Sequence, residues 1–236
     1  MKRDWLIMST AAVLLAGCDG GNFASELAAR PKPHPLKAEQ GATLRLPQDE
    51  PFSIVFAPSQ KAPALDGAAE SDAKASREGS AEASAKVTDG GTAVGTFQLG
   101  HVFSNESDQQ IELDIRVRFS ASYKAEATPP SPRPEANVGL KLYARDGQNR
   151  LVRNIDLLGH STQHGPATRQ SNEDFRFTVT LGPRDTLSVF LAGQAEVKAE
   201  IGRSASASLA LSDTQMAIIT EPAPAVRTVS DERRQP

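Results

Sequence analysis

The 236-residue sequence has one cysteine, one tryptophan and two tyrosines, and aromatic residues make up only 5% of it. A single cysteine excludes an intrachain disulfide framework and a multi-cysteine metal cage. Basic residues are not in excess: the formal net charge is −3. That removes the electrostatic footprint of a nucleic-acid binder, and no polybasic cluster is present for anionic lipid. No apolar run approaches the roughly 20 residues of a membrane-spanning helix. No Gly-x-Ser-x-Gly elbow, P-loop, zincin helix or dinucleotide fingerprint occurs either. Chemistry carried by a recognisable motif therefore has no foothold, and no cofactor is expected.

What is present begins at the N-terminus. Lys2 and Arg3 open a short positive stretch, and Trp5 to Ala16 forms an apolar segment of signal-peptide length. The small residues Ala16 and Gly17 then precede Cys18. The run Leu15-Ala16-Gly17-Cys18 resembles the bacterial lipobox in full. The resemblance covers residues 1–18 and implies diacylglycerol on the Cys18 sulfur, cleavage before Cys18 and acylation of the new N-terminus. Several acyl chains on one residue give stable anchoring, so the membrane is an expected partner through Cys18. Lys2, Arg3 and Asp4 leave with the signal, taking the formal charge from −3 to −4. The lone tryptophan, Trp5, leaves with it. Asp19 follows the cysteine, and an aspartate there implies retention at the inner membrane in enteric bacteria. Where that rule does not hold, the outer membrane is the alternative; in both cases the domain is expected to face the periplasm.

The expected organisation is a signal at 1–17, a lipidated cysteine with a flexible tether at 18–42, a domain at 43–221 and a disordered tail at 222–236. Pro31, Pro33 and Pro35 punctuate the tether, whose reach as a flexible coil is about 25–30 Å. Within the domain, residues 58–79 are rich in Ala, Ser, Lys, Glu and Asp without an apolar stripe, and read as a mobile insertion. Its Ser71-Asp72-Ala73-Lys74 matches the Ser-x-x-Lys of penicillin-binding enzymes. The partner motifs are missing, so chance spacing accounts for it.

Nearly every other segment alternates with period two. The clearest is Ile111, Leu113, Ile115, Val117 and Phe119 on one face, against Glu112, Asp114, Arg116, Arg118 and Ser120 on the other. That is a half-buried strand with one wet face. Similar runs start at Ala81, Ala93, Val138, Leu151, Phe175, Leu187, Ala195, Ala205 and Met216, separated by turn signals such as Asp89-Gly90-Gly91. Gly202 marks a bulge or bend in the run that starts at Ala195, before the alternation resumes at Ala205. No helix-period segment intervenes. The pattern predicts an all-β antiparallel β-sandwich, in a jelly-roll-like variant, of roughly nine to eleven strands. Residues 81–87 and 195–201 echo each other, as neighbouring strands would where small residues let two sheets approach.

Candidate sites are few. His160 and His164 lie in a polar stretch, 159–172, with Asp156, Glu173 and Asp174 nearby, and are the weak metal candidates; loop signals around them favour a solvated loop. His101 falls in register with Phe97, Leu99 and Phe103 and is expected inside as a hydrogen-bonded core histidine. Glu112, Asp114, Arg116 and Arg118 form either a solvated face or a charged docking surface. Tyr123 and Tyr143 are the only rings left that suit sugar stacking. Together these features predict a non-catalytic lipoprotein serving as an accessory or scaffolding part of an envelope protein complex. The alternative is a module that binds carbohydrate or peptidoglycan.

Overall fold

The computed structural model describes residues 31–36, 41–128, 133 and 135–222. Cys18, Asp19, most of the expected tether and residues 223–236 of the expected tail lie outside that range. Thirteen strands run through the described residues. They are β1 (His34–Leu36), β2 (Thr43–Leu46), β3 (Ile54–Phe56), β4 (Ser59–Pro63), β5 (Ala68–Ala75), β6 (Ala81–Thr88), β7 (Gly91–Asn105), β8 (Ile111–Thr128), β9 (Ala136–Asp146), β10 (Leu151–Ser161), β11 (Ala167–Leu181), β12 (Thr186–Ala199) and β13 (Ser204–Pro222). One 3₁₀ turn, Thr162–His164, separates β10 from β11. No helix among the described residues is long and apolar enough to cross a membrane.

The strands form two sheets packed face to face, an all-β sandwich. The first runs β1-β7-β12-β9-β10, with β3 and β4 also on β7; the second runs β11-β8-β13-β6-β5, with β2 on β13. The eight long strands pair in nested antiparallel fashion: β9 with β10, β8 with β11, β7 with β12 and β6 with β13. This is the order produced by rolling one long hairpin around itself. Only β1 enters parallel to its neighbour.

Alternation decides which face is inside. Ile111, Leu113, Ile115, Val117 and Phe119 of β8 are all buried in one core that also holds Leu187, Val189 and Leu191 of β12. Ala81, Ala83 and Ala85 of β6 point inward, and β6 touches β12 across the sandwich. The echo between 81–87 and 195–201 thus belongs to two facing strands in a part of the core built of small side chains.

Several segments differ from the sequence reading. Residues 58–79 are not a loop: β4 extends the edge of the first sheet and β5 that of the second, and every residue of β4 is exposed. The 159–172 stretch is largely strand, broken by the 3₁₀ turn. The tether region contributes β1. Gly202, with φ of +82°, sits in the turn between β12 and β13. The bulge of β13 lies further on, between Ser212 and Gln215, with Asp213 at φ +54°. It changes the strand's parity: Ala205, Ala207, Leu209 and Leu211 point inward before it, Met216 and Ile218 after it. Gly79 (φ +97°) is needed beside this bulge, because a Cβ there would lie 2.5 Å from the Thr214 carbonyl oxygen.

Candidate functional site

The parity change on β13 places Gln215, Ala217 and Ile219 on the outer face of the second sheet. Register then builds a row across four strands. Arg45 of β2 lies opposite Ala217 of β13, Ala217 opposite Arg116 of β8, and Arg116 opposite Arg176 of β11. Ala217 is the only small residue in that row, so it makes a floor between the arginine-bearing strands β2 and β8, whose backbones lie about 10 Å apart, two strand spacings. Arg118 and Gln215 face each other one step along, and Asp114 and Ile219 one step the other way. The result is an open groove of about 900 Å³ whose lining includes all of these residues.

Charge in the groove is unbalanced. Asp174 accepts two hydrogen bonds from Arg116, at 2.7 and 2.5 Å, and one from Arg118 Nε at 3.0 Å. Asp114 is held by Arg176 Nε and Nη2, at 2.8 and 2.5 Å. Hydrogen bonding from Arg116 holds the Asp174 carboxyl at about 2, well below its ordinary range. Three arginines thus share two aspartates, and a fourth, Arg45, bonds neither. The Arg45 side chain is exposed and has no ion-pair partner among the described residues, and Arg118 spends only Nε. Arg116 stands directly opposite Arg176, a like-charge pair that weakens a sheet when nothing lies between the charges.

The expected docking strip is therefore part of this groove. Arg116, Arg118 and Asp114 line it, with Asp114 mostly covered; Glu112 lies further along β8, opposite Thr180 and Glu221. Arg45, Arg176 and Ala217 were not singled out from sequence, because they come from strands distant in the chain.

The tyrosines are a correction. Tyr123 belongs to the core, its ring 5.7 Å from that of His160. Tyr143 is buried with Ile54, Val102, Phe190 and Ala192, its ring 5.5 Å from Phe190. Inward alternation on β8 buries the first and apolar neighbours bury the second, so neither offers an open face to a sugar. Of the weak metal candidates in the 159–172 stretch, His160 has its Nε2 engaged with the Gly165 carbonyl at 2.9 Å, and neither His160 nor His164 belongs to a group of three potential ligands among the described residues. His101 is inside as expected, 1% exposed, with Nδ1 accepting from the Ser53 amide at 3.2 Å.

Comparison with known proteins adds little. No family model matches the chain, and no curated protein matches it. Among solved structures, the enzymatically active domain of a bacteriophage CBA120 tailspike protein shares 10% identity over 70% of this chain and 19% of that one, with a TM-score of 0.28. The CBM22-1 xylan-binding domain of Paenibacillus barcinonensis Xyn10C shares 12% identity over 78% of this chain and 98% of its own, with a TM-score of 0.20. A structure of infectious bursal disease virus, Gx strain, shares 10% identity over 78% of this chain and 38% of that one, with a TM-score of 0.24. Similarity at this level carries no argument about activity.

Proposed function

We propose that the protein is a non-catalytic lipoprotein of the bacterial cell envelope. In this reading Cys18 carries the lipid and Asp19 keeps the chain at the inner membrane. The domain faces the periplasm as an accessory component of a protein complex. Its docking surface is the arginine groove of the second sheet, and its partner presents an extended segment bearing carboxylates. The observation that carries this reading is the row Arg45–Ala217–Arg116–Arg176: guanidinium groups gathered around a small-residue floor, in a chain of net negative charge. An extended acidic segment lying along Ala217 would offset the Arg116–Arg176 repulsion and pair with Arg45. A glycan would have to bind without tyrosine stacking, since Tyr123 and Tyr143 are buried.

The test is a pulldown from native envelope extract with the full lipidated chain as bait, alongside co-sedimentation with peptidoglycan and insoluble polysaccharide. Retention of a defined protein set, lost with rising salt and competed by free bait, supports the proposal. Co-sedimentation with glycan and no retained protein would replace it with the carbohydrate-binding alternative.

A further inference from the structure

Where β1 joins β7, the end of the first sheet gathers three side chains that the groove does not use. His34 lies on β1, Glu50 in the turn after β2, and His101 on β7. His101 is buried, and its Nε2 has no hydrogen-bond partner. That nitrogen faces a Glu50 carboxylate oxygen 3.9 Å away. The same oxygen pairs with Nδ1 of His34, and the two imidazole rings meet edge to face with centroids 6.1 Å apart. One donor atom from each of the three residues lies within 4.8 Å of the other two.

The tautomer of His101 decides what this arrangement can hold. The Ser53 amide donates to Nδ1 at 3.2 Å, which in the neutral ring leaves the proton on Nε2, facing the Glu50 carboxylate. A metal ion at Nε2 would require that proton to shift to Nδ1, the Ser53 hydrogen bond being given up in exchange for the metal bond.

We propose that His34, Glu50 and His101 form a binding site for a divalent transition-metal ion, with zinc the best match to the donor set. Two imidazole nitrogens and one carboxylate oxygen are ligands of the borderline kind zinc accepts, and three protein ligands leave a fourth position for water or a partner group. A point among the three donors lies no more than about 2.8 Å from each, so side-chain movements under about 1 Å reach ligand distances of about 2.0–2.1 Å. His34 and Glu50 are partly exposed, at 29% and 39%, and give the ion a route in. The ion would tie together three segments: β1, the turn after β2, and β7 of the first sheet.

The test uses the untagged mature chain after chelation and dialysis. It is titrated with zinc by calorimetry and with cobalt by visible absorption. One equivalent of each is expected, with tetrahedral cobalt bands and a raised melting temperature. His34→Ala and Glu50→Gln, both at partly exposed positions outside the hydrophobic core, should each abolish that binding; His164→Ala should not. Absence of saturable binding in the wild type, or full binding retained by either His34→Ala or Glu50→Gln, would overturn the site.

Discussion

Arg45 is the groove arginine with no ion-pair partner among the described residues, so it separates docking from stability. Arg45→Glu removes no ion pair and should change the unfolding free energy by under about 0.5 kcal/mol. Recovery of the partner in the pulldown should nevertheless drop about tenfold, a loss of roughly 1.4 kcal/mol. Asp174 makes the opposite prediction. Its carboxyl titrates at about 2 when folded and at 3.8 ordinarily, so its contribution is present above pH 3.8 and disappears as pH falls from 3.8 toward 2. Urea midpoints should decline over that interval, and Asp174→Asn should decline less steeply. In the core, the Phe97 ring lies directly on Gly193, where an added Cβ would sit 2.1 Å from Cζ. Gly193→Ala should therefore cost about 1–3 kcal/mol through overpacking, read from the same urea curves. At this scale the sequence exposed Arg116 and Arg118 through simple alternation. Arg45, Arg176 and Ala217 stayed hidden because cross-strand register, and not local pattern, makes them neighbours. His34 and Glu50 stayed hidden because they lie outside any alternating run.

Among the elements, β8 and β6 were legible because each has one wet face and one apolar face. The edge strands β1, β4 and β5 were not. β1 contains Pro35, and β4 and β5 carry Ala, Ser, Gln, Lys and Glu where strands usually carry β-branched or aromatic residues. Backbone pairing along sheet edges holds them, and composition does not report that. β5 in turn covers the edge of β6 over its full length, from Ala68 opposite Thr88 to Ala75 opposite Ala81. Replacing residues 59–75 by a short linker should strip that cover and expose an unpaired ladder. The shortened chain should keep its far-ultraviolet β signature but elute as dimers or larger species in size-exclusion chromatography with light scattering. A strictly monomeric product would show that β5 does not protect the edge.

Taken as a whole, the molecule in this reading is a rigid two-sheet body hung from one lipidated residue, and the two parts can be tested apart. Cys18→Ser should yield an uncleaved or soluble protein that no longer incorporates labelled fatty acid, while the domain's melting temperature stays the same. The nested pairing has a consequence of a different kind. The outermost pair sets Ala81 against Leu211, so no complete sheet exists until nearly the whole chain is available. Topologies dominated by such distant partners close slowly, on the order of milliseconds to seconds. A chain emerging from the ribosome in segments would remain extended through that interval, which is the condition a protein needs to be threaded across a membrane before it becomes too wide to pass.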